Sequence, residues 1–212
     1  MATSRPGTGA RGRLIVIAAP SGAGKTTLVH ALIERNPDFV FSVSYTTRPK
    51  RPNEEHGRDY FFVSEEEFRR LDRQGEFLES ARVFDNYYGT SRSQVESELA
   101  KGRNVVLEID WQGARQVRAA MPECRSIFIL PPSVEALEQR LRSRRTDSED
   151  VIRRRLRDSL SDLSHWDEFD YVVINDDLER AIDELEGIAT GRYRRNRVGA
   201  ETTRKKLAHL LV

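Results

Sequence analysis

At 212 residues the chain has the length of one compact domain, with room for a small inserted lobe and a fully buried parallel sheet. Its 35 Lys and Arg against 34 Asp and Glu leave a net charge of +1, so no global field points to nucleic acid or a membrane surface as partner. The single cysteine, Cys124, excludes an intramolecular disulfide and a cysteine metal cluster and suits a reducing, cytoplasmic compartment, while no apolar run approaches the roughly 20 residues that cross a bilayer.

The opening segment, residues 1–12, is small, polar and dotted with arginine; it lacks the apolar stretch of a secretory signal and is expected to be disordered. The apolar run Leu14–Ala19 then enters a Pro-Ser-Gly turn, and Thr26–Arg35 shows helical spacing through Leu28, Ala31 and Leu32. Similar runs at Val105–Ile109, Ser126–Leu130 and Tyr171–Ile174 each precede a helical pattern. That alternation predicts an α/β fold with a parallel sheet covered on both faces. Between Ser42 and Thr90 short alternating segments and turn residues predict an inserted lobe with one short helix. Ser64 with Glu67 forms a capping box for that helix; Ser93 with Glu96 is expected to open the next, and Gly102 to close it. Ser133–Arg155 reads as two helices separated by the polar stretch Ser143–Ser148, a mobile lid, and Asp177–Arg197 as one long charged helix. The expected organisation is a core of residues 13–41 and 91–197, an inserted lobe at 42–90, a lid at 141–155 within the core, and a tail at 198–212.

The segment Ala19-Pro20-Ser21-Gly22-Ala23-Gly24-Lys25-Thr26 matches the phosphate-binding pattern G-x-x-x-x-G-K-[ST] at every defined position except the first, where Ala19 replaces Gly. Gly22 and Gly24 let backbone N–H groups turn toward phosphates, Lys25 neutralises β and γ oxygens, and the Thr26 hydroxyl suits Mg²⁺. Ser21, Gly22, Ala23, Gly24, Lys25, Thr26 and Thr27 are therefore the candidate ATP site. The loop identifies a nucleoside triphosphate as ligand without naming the acceptor.

An acceptor site is suggested by Ser44 to Glu54 and Gly57 to Phe62, where Arg48 and Arg51 stand three residues apart among hydroxyl donors. Such a cluster suits a phosphate dianion, because each planar guanidinium can bond two oxygens, with Tyr60 and Tyr88 adding neutral donors. A solvated basic loop is the competing reading. Together with Asn86-Tyr87-Tyr88-Gly89-Thr90, Ile109-Asp110-Trp111-Gln112-Gly113 and Ile174-Asn175-Asp176-Asp177, however, these motifs resemble the bacterial guanylate kinases from about Leu14 to Arg192. The resemblance implies a P-loop three-layer fold with a small GMP-binding lobe and a helical lid. It implies transfer of the γ-phosphoryl group of ATP to GMP, and to dGMP, with Mg²⁺ as cofactor. It also implies that Arg48, Arg51, Tyr60 and Tyr88 bind the GMP phosphate, that Ser44, Glu79, Thr90 and Asp110 bind guanine, and that Asn175 meets the adenine of ATP. The chemistry agrees: the N1–H and 2-amino donors of guanine can both bond a carboxylate such as Glu79, whereas adenine presents an acceptor at N1.

Phosphoryl transfer to another phosphate needs positioning and charge neutralisation more than base catalysis. Arg140, Arg144 and Arg155 match the lid arginines of the resembled family and, with Lys25 and Arg48, make the expected catalytic set. Other arginines of 142–155 read as solvated helix surface. Arg145 replaces a frequent family glycine, and Glu108 stands where the family usually shows Asp, so Glu108 and Thr26 are the expected Mg²⁺ positions, Glu108 through water. Trp111 reads as a packing residue, and the four histidines show no ligand spacing. A GTPase or ATPase gives no reason for the Arg48–Tyr88 lobe. A second alternative, a guanylate-kinase-like protein-binding module without catalysis, is set against the presence of Lys25, Thr26, Arg140, Arg144 and Arg155. The tail leaves a homo-oligomer open.

Overall fold

The computed structural model describes residues 11–83, 85–143, 149–193, 196–200 and 203. Residues 1–10 of the opening segment, Arg144 and Arg145 of the lid, and most of the tail lie outside the described residues.

In chain order the elements are β1 (Leu14–Ala18), α1 (Lys25–Arg35), β2 (Phe39–Phe41), β3 (Tyr45–Thr46), β4 (Phe61–Phe62), α2 (Glu65–Arg73), β5 (Phe77–Val83), β6 (Asn86–Ser91), α3 (Arg92–Ala100) and β7 (Asn104–Glu108). They continue with α4 (Trp111–Ala120), β8 (Arg125–Leu130), α5 (Val134–Ser143), α6 (Glu149–Leu163), β9 (Tyr171–Ile174) and α7 (Leu178–Thr190). The core sheet has the order β2-β7-β1-β8-β9 with every pair parallel. Strand period divides its side chains between two apolar layers. Ile15 and Ile17 of β1 pack with Leu28 and Leu32 of α1 and Ile182 and Leu185 of α7, while Leu14, Val16 and Ala18 face Leu99 of α3, Val117 of α4, Leu137 of α5 and Ile152 of α6. Each buried Leu, Ile or Val among them contributes ~1.5–3 kcal/mol, which is why runs with no polar alternation form the centre of the molecule.

The predicted inserted lobe contains a second sheet, β4-β3-β6-β5, in which β3 runs parallel to β4 and antiparallel to β6, and β5 antiparallel to β6. Its helix, α2, lays Phe68 on Phe77 with ring centroids 4.6 Å apart. The same two rings crowd Gly89, whose added Cβ would stand 3.0 Å from Phe77 and 3.1 Å from Phe68.

Several sequence expectations are corrected. The first helix starts at Lys25, one residue early, because Gly24 caps it in the left-handed region at φ 92°. β2 was not foreseen as a strand. Ser64 accepts from the Glu67 N–H at 3.1 Å, but the Glu67 carboxylate bonds Arg70 instead of completing the box. Ser91, and not Ser93, caps α3 by accepting from Gln94 N–H; Gly102 follows its end at φ 80° as expected. The second lid helix runs on past Arg155 to Leu163. The last helix stops at Thr190, not Arg197, because Gly191 takes a left-handed conformation at φ 88°. The chain then turns back along the free edge of β9, where Val172 N–H donates to the Asn196 carbonyl at 3.0 Å and Val198 N–H to the Asp170 carbonyl at 3.1 Å.

That return is seated by Tyr193, whose ring lies against Gly187 so closely that a Cβ there would overlap it. Gly→Ala in a helix normally gains ~0.5–1 kcal/mol. Here Gly187→Ala is expected to lose ~1–3 kcal/mol through overpacking, read as a lower urea midpoint at unchanged m-value. A higher midpoint would show that Tyr193 does not pack there.

Candidate active site

The parallel pairing of β1 with β7 sets Ile17 opposite Glu108, so the loop leaving β1 and the segment leaving β7 emerge side by side. Gly22 and Gly24, both at φ 92°, shape that loop. Lys25 Nζ donates to the Ile109 carbonyl at 2.8 Å, and the Thr26 hydroxyl to Glu108 Oε1 at 2.6 Å. Thr26 and Glu108 are thus adjacent hard oxygen donors at the head of α1, a set that fits Mg²⁺ chemistry. Thr27 follows them, exposed, on the first turn of the helix.

The back of the loop is fastened to three other elements. Asn175, at the end of β9, donates its amide to the Ala23 carbonyl at 2.8 Å; Arg140 of α5 donates to the same carbonyl at 3.2 Å and to the Asn175 carbonyl at 3.0 Å. Ser159 of α6 donates to the Ser21 carbonyl at 3.2 Å. Ala23 is fully buried under these contacts, and a Cβ at Gly24 would overlap the Asn175 amide. Arg140 and Asn175 therefore stand behind the loop in this structure, each tied to backbone carbonyls.

In front of the loop lies a cleft of about 490 Å³. Ser21, Lys25, Glu108 and Asp110 line its core wall, and Ser44, Arg48, Arg51, Tyr60, Glu79 and Tyr88 its lobe wall. Arg155 of α6 reaches it from the lid side. Thr90 does not line the cleft but is fully buried behind Glu79. Arg144 lies outside the described residues.

Glu79 is only 4 % exposed and accepts from the Thr90 hydroxyl at 2.6 Å. Burial, reinforced by the nearby Asp110 charge, pushes its carboxyl up to about 7. Asp110 caps α4, its Oδ1 accepting from Gly113 N–H at 2.8 Å while Oδ2 accepts from Gln112 at 3.0 Å. Arg48 is held flat by a carboxylate that sequence reasoning did not single out: Glu54 receives both of its terminal nitrogens, at 2.7 and 3.0 Å, with side-chain exposures of 14 % and 15 %. Glu54 also accepts from the Arg51 N–H at 2.8 Å, and these bonds hold its carboxyl below the ordinary range. The Arg48-Pro49-Lys50-Arg51-Pro52-Asn53-Glu54 spacing was the available signal, since a turn of that length returns the acid to the first arginine. Arg48 also lies 5.4 Å from the Tyr60 ring centre. Burial pushes Tyr60 up to about 12, keeping its hydroxyl a neutral donor.

Two further charged cleft residues were not singled out by the sequence. Asp85, beyond β5, approaches Arg154 of α6 at 3.7 Å, and both line the cleft, so Arg154 is not merely solvated helix surface. Trp111 packs as expected, stacked 3.5 Å from His165 with its indole N–H on Asp162 at 3.0 Å. Among the described residues no cluster of three or more His, Cys, Asp or Glu could hold a metal ion, and no helix is long and apolar enough to cross a membrane.

The family model described as Guanylate kinase matches residues 11–190. The guanylate kinase of Methylococcus capsulatus is 58 % identical over 178 residues, which cover 84 % of this chain and 87 % of the relative. That of Pseudomonas fluorescens is 48 % identical over 204 residues, covering 96 % and 97 %. The crystal structure of guanylate kinase from Anaplasma phagocytophilum superposes with a TM-score of 0.72 at 35 % identity, covering 94 % of this chain and 95 % of that one. A match of this extent settles kinship: the chain belongs to the guanylate kinase family.

Proposed function

We propose that this chain transfers the γ-phosphoryl group of ATP to GMP, and to dGMP, giving ADP and the corresponding diphosphate. The observation that carries this reading is a phosphate-binding loop and a buried carboxylate, Glu79, lining one cleft. Residues 42–90 then form the GMP-binding lobe, 13–41 and 91–197 the core, and 141–155 the lid, in a chain expected to work in the cytoplasm.

ATP is held by Ser21 to Thr27, its phosphates on the loop N–H groups and the head of α1. Lys25, parked on the Ile109 carbonyl, exchanges that partner for the β and γ oxygens. The GMP phosphate lies against Arg48, Arg51, Tyr60 and Tyr88, with Glu54 keeping the Arg48 fork in its plane. One oxygen of that phosphate forms a new bond to the γ-phosphorus as the bond to the β–γ bridging oxygen breaks, and the electron pair leaves with ADP. Arg155 neutralises charge on the moving group, and Arg144 completes the lid set. Arg140 and Asn175 act on ATP through the loop, by fixing the Ala23 carbonyl from behind. Mg²⁺, held by the Thr26 hydroxyl and, through water, by Glu108, would draw charge from the β and γ oxygens when bound.

Guanine is read by Glu79 with Thr90, Ser44 and Asp110. A buried carboxylate without a donor on the base is left unpaired, which rejects adenine by on the order of 10⁴. An assay of ADP release across GMP, AMP, CMP and UMP is expected to show turnover with GMP at least ~10³-fold above the others; comparable rates on all four would contradict the assignment.

The raised Glu79 carboxyl adds a pH signature. Guanine bonds the ionised form, so the KM for GMP is expected to rise ~10-fold between pH 8 and pH 6, beyond any change in Glu79→Gln, while the KM for ATP follows no such limb. Stability without substrate runs the other way. A carboxyl raised from 4.5 to about 7 on folding contributes stability present below pH 4.5 and lost as pH rises through 7. Glu79→Gln is therefore expected to raise Tm at pH 8 and not at pH 4; no gain at pH 8 would show that Glu79 is not buried as a costly charge.

A further inference from the structure

β5 is the edge strand of the lobe sheet, paired with β6 on one side only. An edge strand presents unpaired backbone donors and acceptors. At Ser80, the residue after Glu79, those groups are satisfied by a side chain. Gln116 of α4 accepts from Ser80 N–H at 3.1 Å and donates to the Ser80 carbonyl at 2.7 Å, the two bonds a neighbouring strand would make. The Ser80 hydroxyl is bonded in turn to Asp72 of α2 at 2.9 Å.

One turn earlier on the same helix stands Gly113. A Cβ built there would lie 2.5 Å from Glu79 Oε2 and 3.1 Å from its carboxyl carbon. Gly113 sits inside α4 and is not among the positive-φ glycines, so its backbone does not require glycine. A glycine inside a helix costs ~0.5–1 kcal/mol relative to alanine. What it provides is space, filled first by the Glu79 carboxyl, with Asp110 Oδ1 3.3 Å from the same point.

We propose that Gly113 and Gln116 are positioning residues for guanine recognition, α4 acting as the template that sets where the Glu79 carboxylate stands. Gln116 holds the strand in register on the helix, and Gly113 lets the carboxylate approach the helix backbone. Neither touches the base. Displacing the carboxylate by a fraction of an ångström spoils the paired bonds to N1–H and the 2-amino group more than a single bond to N1–H. Loss of positioning therefore shows as loss of discrimination between GMP and inosine monophosphate, which lacks only the 2-amino group.

This inference rests on the reading of Glu79 as the guanine reader, and the test separates the two. The kcat/KM for GMP and for inosine monophosphate, the KM for ATP and the Tm are measured for the unsubstituted enzyme, Glu79→Gln, Gly113→Ala and Gln116→Leu. Gly113→Ala is expected to cut the GMP-to-inosine-monophosphate ratio at least ~5-fold, and Gln116→Leu ~3-fold, with the KM for ATP within ~2-fold in both. A purely structural role would lower Tm and leave the ratio unchanged. Should both variants keep the ratio while Glu79→Gln loses it, the positioning role is overturned and the guanine reader stands. Should Glu79→Gln keep it as well, the reading of Glu79 falls and takes the inference with it. If Gly113→Ala does not fold, Gln116→Leu decides the matter by the same ratio.

Discussion

The parallel pairing of β1 with β7 is the constraint from which the site follows. Both strands are buried on both faces, and their side chains divide between two apolar layers in strict alternation. A slip of one residue would exchange every side chain between layers, so the register that sets Ile17 opposite Glu108 is strongly determined. The two strand ends carry the loop Ala19–Gly24 and the segment Glu108–Asp110. The contacts of Lys25 with the Ile109 carbonyl and of Thr26 with Glu108 are consequences of that register. In open parallel sheets, crevices at the carboxyl ends of strands are where ligands bind, and this cleft follows the rule.

Each wall of the cleft is stiffened from behind by groups that do not face the ligand. The loop is fastened by Asn175, Arg140 and Ser159; Arg48 is oriented by Glu54; the strand bearing Glu79 is tied to α4. The last tie joins the inserted lobe to the core by side-chain contact in addition to chain crossings. Burying Glu79 costs free energy in the absence of ligand, seen in its raised carboxyl. Under the proposed guanine reading, a site that already bears this cost need not rearrange when two donors arrive on the base.

Much of this was legible in the sequence because the physics is local. Four apolar runs that cannot face water on either side gave four of the five core strands, and the spacing from Gly22 to Thr26 gave the loop. β2 escaped notice because three residues, Phe39–Phe41, with burial decreasing along them, carry no period of their own; pairing with β7 makes them a strand. The cap of α3 was misread by two residues because Ser91 and Ser93 are equally good caps, and only the end of β6 decides between them. Gly191 ends α7 inside a charged pattern that continues on both sides of it, so periodicity alone runs past the stop. Long-range pairings were the least accessible part: nothing near Gly113 announces the carboxylate 34 residues earlier whose space it keeps. Arg140 and Asn175 resembled ligand-facing residues by motif, and three-dimensional structure was needed to find both bonded to the Ala23 carbonyl and Arg140 also to the Asn175 carbonyl.

In the proposed reaction the loop holds ATP while Glu79, with Asp110 beside it, reads guanine in the same cleft. A crystal structure of the enzyme with GMP tests it most directly. The expected result is both Glu79 oxygens within about 2.7–3.2 Å of N1 and the 2-amino nitrogen, with the phosphate on Arg48, Arg51, Tyr60 and Tyr88. Guanine bound elsewhere, with Glu79 bonded only to Thr90, would contradict it.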